Sequence, residues 1–105
     1  MAQYTPDAWV IVKVTNKDEV FYRVFAGWYG GYAGTDSWKL NSGITRVEDE
    51  GNYYKFFGET GSCYNCGKSA ERMTGYMSQL YVSWRSDLPE GCNFEQIDFK
   101  DLPEF

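Results

Sequence analysis

Two apolar runs joined by five polar residues constrain this chain more than any other feature. Residues 9–14 read W-V-I-V-K-V, rich in β-branched side chains and too short for a helix, so they predict a strand with at least one buried face. Asn16, Lys17, Asp18 and Glu19 supply a turn. Residues 20–28 then read V-F-Y-R-V-F-A-G-W. Alternation puts Val20, Tyr22, Val24, Ala26 and Trp28 on one face and Phe21, Arg23 and Phe25 on the other. The two runs predict a hairpin, and a chain that begins this way is committed to sheet.

Later segments extend the pattern. Residues 37–47 predict a third strand, interrupted at Ser42-Gly43 in the manner of a bulge. An acidic turn at residues 48–52 leads to Y-Y-K-F-F, a fourth strand. Residues 69–73 suit one helical turn. Residues 76–84 alternate as Tyr76, Ser78, Leu80, Val82 and Trp84, which favours a fifth strand over a helix spanning 70–82. Residues 94–99 add an edge strand, with Phe94, Ile97 and Phe99 docking the tail. The fold expected is mainly β, a single antiparallel curved sheet or small barrel of five to six strands with at most one short helix.

A length of 105 residues suits one domain covering the whole chain, with a core large enough to fold without disulfides or metal. Fifteen acidic residues against ten basic ones give a net charge of -5, which disfavours long nucleic acid, whose phosphates need a surplus of Lys and Arg. No apolar run approaches the ~20 residues of a membrane helix, and the first residues lack a signal-peptide pattern. Three cysteines fit a reducing compartment better than a disulfide framework, so a cytoplasmic location is expected.

Chemistry-bearing patterns are few. Cys63 and Cys66 form C-x-x-C, but the chain contains no histidine and only Cys92 as a third thiol, so plain reduced cysteines in a turn are expected, without metal. The absence of histidine also removes the commonest general base. Asp36 and Glu59 could form a carboxylate pair, but acids in turns are usually solvated or turn-forming. The expectation is a protein that is not an enzyme and needs no cofactor.

What stands out is G-W-Y-G-G-Y-A-G-T-D-S-W-K-L-N-S-G at residues 27–43, where five glycines frame four rings. Glycine permits close backbone approach, and Tyr and Trp combine a flat face with a polar edge. A second glycine-rich loop, G-E-T-G-S-C-Y-N-C-G, occupies residues 58–67. Neither carries a nucleotide-phosphate signature, although the amides of Gly61-Ser62 suit an anion-binding concavity; a tight turn is the plainer reading.

Three segments, F-Y-R-V-F-A-G-W-Y-G-G-Y, D-S-W-K-L-N-S-G-I and G-S-C-Y-N-C, resemble small accessory proteins encoded by bacteriophages, over about residues 20–81. The resemblance implies a protein made inside an infected bacterium. Such proteins act against host machinery by occupying a host protein or by sequestering a signalling nucleotide.

The function expected is noncatalytic binding of a small anionic ligand, a nucleotide being the class in mind, where the two glycine loops meet. Trp28, Tyr32 and Trp38 would stack on a ring. Ser42, Gly61 and Ser62 would bond polar edges, Asp36, Asn41 and Tyr64 would complete the lining, and Arg23 or Arg46 would meet a phosphate. A protein-binding inhibitor with an aromatic and acidic surface, and a structural component of a virion, are the alternatives. Self-association into a homo-oligomer stays open.

Overall fold

The computed structural model describes residues 2–30 and 34–105. Its strands form two sheets, where one was expected. The first sheet has the order β1 (Gln3–Tyr4), β7 (Cys63–Gly67), β6 (Tyr53–Gly58), β5 (Ile44–Asp49). The second has the order β4 (Ser37–Leu40), β3 (Glu19–Trp28), β2 (Ala8–Asn16), β8 (Cys92–Ile97). Pairing is antiparallel except between β1 and β7, which run parallel.

The split occurs inside the expected third strand. Asn41 takes over the β3 ladder where β4 ends: its amide donates to Val24 O (3.0 Å) and its side-chain Oδ1 accepts from Val24 N (2.8 Å). With the ladder closed by a side chain, the backbone is free to turn away. Gly43, at φ 133°, makes that turn in a region that disfavours residues with a Cβ. Residues 44–49 then join the other sheet, and the register irregularity lies just beyond, between Ile44 and Arg46.

The inner faces of the two sheets meet in a core of Trp9, Ile11, Val24 and Ala26 against Ile44, Phe56, Tyr64 and Cys66. Trp9 also donates its indole N–H to Gly67 O at 2.6 Å, tying the second sheet to the first. The expected faces of β3 hold: Val24 and Ala26 point into this core, and Phe25 points out of it.

The outer face of the second sheet is covered by α1 (Gly75–Ser86), in place of the expected fifth strand. Met73, Met77, Leu80, Tyr81, Trp84 and Leu88 pack on Ala8, Val10, Val12, Phe25 and Phe94. That spacing follows the helical period, whereas Val82, inside the alternating pattern, is 67% exposed. Thr74 caps the helix, its side-chain oxygen accepting from Met77 N at 3.1 Å. The turn expected at residues 69–73 is a 3-10 turn at Lys68–Ala70. Because β2 is covered on both sides, its apolar run is continuous and Ala8 through Val12 are fully buried.

Candidate functional site

The residues expected to form one site fall into several places. Tyr64 lies in the intersheet core, 3% exposed and tilted against Tyr4, where burial foremost, and then the Tyr4 hydroxyl, push its pKa up to about 12. Asn41 is the buried ladder closure already described. Asp36 accepts from Gly30 N at 2.9 Å and so ties the ends of the glycine loop together. Tyr32 lies outside the described residues.

Gly61 and Ser62 belong to a tight turn. Gly61, at φ 90°, donates to Gly58 O (3.0 Å), and Gly58 donates to Ser62 O (2.9 Å). The amide of Glu59 donates to Gly43 O and that of Thr60 to Ser42 Oγ, each at 3.1 Å. Four successive amides are therefore spent on protein acceptors, so that of Gly61, one of the two expected to hold an anion, is already occupied.

These same bonds join the two glycine loops at Ser42 and Gly43. A concavity of about 480 Å³ opens there, lined by Glu19, Val20, Phe21, Arg23, Ser42 and Glu59. Arg23 and Ser42 share it, but its lining holds two carboxylates to one guanidinium, with no ion pair between them among the described residues. Arg46 is elsewhere, on the first sheet, paired with Glu48 at 3.0 Å and lying 4.1 Å over the Phe57 ring.

Trp28 and Trp38 border a different concavity, of about 510 Å³, between the edge strands β1 and β4. Gln3, Tyr4, Thr5, Ser37 and Lys39 complete its lining. Trp28 is held by its indole N–H to Thr5 O (3.0 Å) and by edge contact with Tyr4, with ring centroids 6.4 Å apart. Lys39 carries its ammonium 5.0 Å over the Tyr4 ring and makes no ion pair among the described residues. Pairing sets the remaining groups. Val24 directs its N–H and C=O toward β4, so the alternation of the ladder turns those of Ser37 and Lys39 toward β3 and those of Trp38 to the open edge. The indole of Trp38 packs on the helix side, 4.8 Å from Trp84 and 6.3 Å from Phe25, so Trp38 offers this cleft its backbone.

Between the two concavities the charges decide. The Arg23 concavity holds two acids for one base, whereas among the described residues Lys39 is the only charged side chain lining the other. An anion is repelled at the first and attracted at the second. Comparison with known proteins gave no matching family model, no similar curated protein and no similar solved structure.

Tyr4 is not among the expected site residues, and Lys39, a cation within the aromatic stretch, stands where Arg23 or Arg46 was expected to meet the anion. Tyr4 sits in a short N-terminal segment with no strand pattern, and β1 exists because two residues find β7 as a parallel partner. Lys39 lies one residue beyond Trp38, and only the β4 register, which pairs it with Ala26, reveals that it faces Tyr4.

The cysteines likewise differ from expectation in placement. Cys63 and Cys66 lie in strand β7, not in a turn. A spacing of three along a strand sends them to opposite faces: Cys66 enters the intersheet core, while Cys63 lies against Asn65 on the outer side. Burial raises the pKa of both thiols. Among the described residues no group of three acids or thiols is placed to hold a metal ion, and no helix is long and apolar enough to cross a membrane.

Proposed function

We propose that this protein is a noncatalytic binding protein for a small anionic ligand bearing a flat ring, and that the ligand lies in the cleft between β1 and β4. The observation that carries the reading is Lys39, a cation without an ion pair among the described residues, poised over Tyr4 in a cleft that also holds Trp28. The ring of the ligand would rest against Tyr4 and Trp28, its anionic group would meet the Lys39 ammonium, and the open N–H and C=O of Trp38 would bond its polar edge. A base on an aromatic side chain contributes ~1–3 kcal/mol. A charge-assisted hydrogen bond adds ~1.5–3 kcal/mol. One ring contact and one anion contact come to only ~2.5–6 kcal/mol, so micromolar affinity, about 8 kcal/mol, requires both Tyr4 and Trp28 against the ring together with the anion at Lys39. A nucleotide carries both groups. In the setting that the phage resemblance implies, such a protein would sequester a nucleotide signal of host defence.

The test is a thermal melt against cyclic and linear nucleotides. Ligands with base and phosphate should raise the midpoint by linkage, while ribose phosphate or free base alone should not. A panel that leaves every melt unchanged defeats the proposal.

A second reading, binding of a protein partner, is favoured by Trp38, which is 38% exposed beside Trp84 on the helix side. Exposed Trp is a common interface anchor. This reading predicts retention of a host protein in native mass spectra and indifference to nucleotides.

A further inference from the structure

We infer that two copies of this chain pair edge to edge through residues 19–23 of β3, joining their second sheets into one continuous sheet. The open window is set by the ladder. β4 covers β3 only from Phe25 to Trp28, and Asn41 closes the next position at Val24. At the other end the hairpin turn closes the strand, with Asn16 opposite Glu19. Because Val24 turns its N–H and C=O toward β4, the alternation of the ladder turns those of Val20 and Tyr22 the same way, where none of the described strands lies. Four backbone groups in a row are thus left on an edge that no proline or lysine blunts.

The sequence of the window, E-V-F-Y-R, is complementary to itself when read antiparallel. Centring a two-fold axis on Phe21 places Val20 opposite Tyr22 of the second copy as a hydrogen-bonded pair, using the four open backbone groups of each strand. Phe21 then faces its own copy, and Glu19 faces Arg23, both as pairs without backbone bonds, whose side chains approach most closely. Glu19, Phe21 and Arg23 share one face of β3, so both ion pairs flank the Phe21 pair. A shift of the register by two residues would lose these matches.

Two further observations fit. The guanidinium of Arg23 stands 5.8 Å over the Phe21 ring, so a carboxylate arriving opposite Arg23 meets a group already held in place. Val20 is 50% exposed on the opposite face, where Tyr22 of the second copy would cover it. The five-residue window matches the five residues that the register uses. An interface this small belongs to the weak class, forming at micromolar or higher concentrations.

Sedimentation of the full chain across micromolar to submillimolar concentrations tests this. The native protein should pass from monomer to dimer. Glu19→Arg, at an exposed position, turns both ion pairs into Arg–Arg contacts and should weaken the dimer at least tenfold with an unchanged melt. Arg23→Glu should do the same by opposing acids. An equimolar mixture of the two variants should dimerise again, because every opposed pair is then complementary. Val20→Pro removes only an outward N–H and should give a folded monomer, which keeps the test decisive if Arg23→Glu fails to fold. A native protein that stays monomeric throughout overturns the proposal. So does a Glu19→Arg or Val20→Pro variant that dimerises like the native chain, or a mixture of folded variants that does not associate.

Discussion

Trp28 and Trp38 stand one step apart on the β3–β4 ladder, Trp28 opposite Ser37 and Trp38 opposite Gly27, and their indoles lie on opposite faces of the sheet. Two rings so placed cannot close on one ligand. The sheet divides their work: Trp28 lines the cleft with Tyr4, while Trp38 covers the end of the helix layer with Trp84 and Phe25.

Substitution should separate these roles. Trp28→Phe keeps a ring in the cleft but loses the bond to Thr5 O, at a cost of about 1 kcal/mol to stability and with ligand binding retained. Trp38→Ala should cost ~1–2 kcal/mol, less than a buried tryptophan because over a third of it is already exposed. Nucleotide affinity should change little in Trp38→Ala. Denaturant melts paired with ligand titrations check both.

Asn41 supports a prediction about architecture. Its side chain satisfies the buried amide of Val24, which Asn41→Ala would leave without an acceptor. The expected cost is ~1–3 kcal/mol in chemical denaturation. Because the same residue steers the chain into the other sheet, Asn41→Ala should also increase hydrogen exchange at Val24 more than at Val10.

Close packing over Gly27 gives a third test. A Cβ there would fall on the Sδ and Cγ of Met77, the most buried residue of α1, so Gly27→Ala should destabilise by ~1–3 kcal/mol. Met77→Ala opens that space. The double variant should therefore cost less than the sum of the two single variants, measured as a double-mutant cycle.

Titration of Tyr64 shapes stability at high pH. Its pKa rises from 10.0 unfolded to about 12 folded, so the folded state holds the proton more tightly. Stability is fully present below pH 10 and falls as pH climbs toward 12, by up to about 1.4 kcal/mol per unit. Tyr64→Phe should flatten that decline in melts between pH 9 and pH 12.

How much of this is legible in the sequence depends on whether backbone or side chains do the deciding. The faces of β3 and a buried face on residues 9–14 follow from alternation and β-branching, and both hold. The second sheet is hidden because Asn41 closes the ladder with an amide side chain, an event with no periodic signature. The helix is misread because Tyr76, Leu80 and Trp84 satisfy both a period of two and a spacing of four. Met73, Met77, Leu80, Tyr81, Trp84 and Leu88, following Thr74 as cap, carry the signal that would have decided it. The site was legible only as a region. The glycine-aromatic stretch does border the cleft through Trp28 and Trp38, but Tyr4 arrives from the N-terminus through a two-residue parallel pairing, and Arg46 goes to the other sheet.

The central claim is that Lys39, and neither arginine, meets the anion. Calorimetric titration of the nucleotide that most raises the melt, into the native chain and into Lys39→Ala, Arg23→Ala and Arg46→Ala, tests it most directly. Loss of a charge-assisted bond of ~1.5–3 kcal/mol predicts at least tenfold weaker binding for Lys39→Ala alone, with the arginine variants within about twofold of native. Binding that survives Lys39→Ala unchanged, or that is lost with Arg23→Ala or Arg46→Ala, would contradict the account.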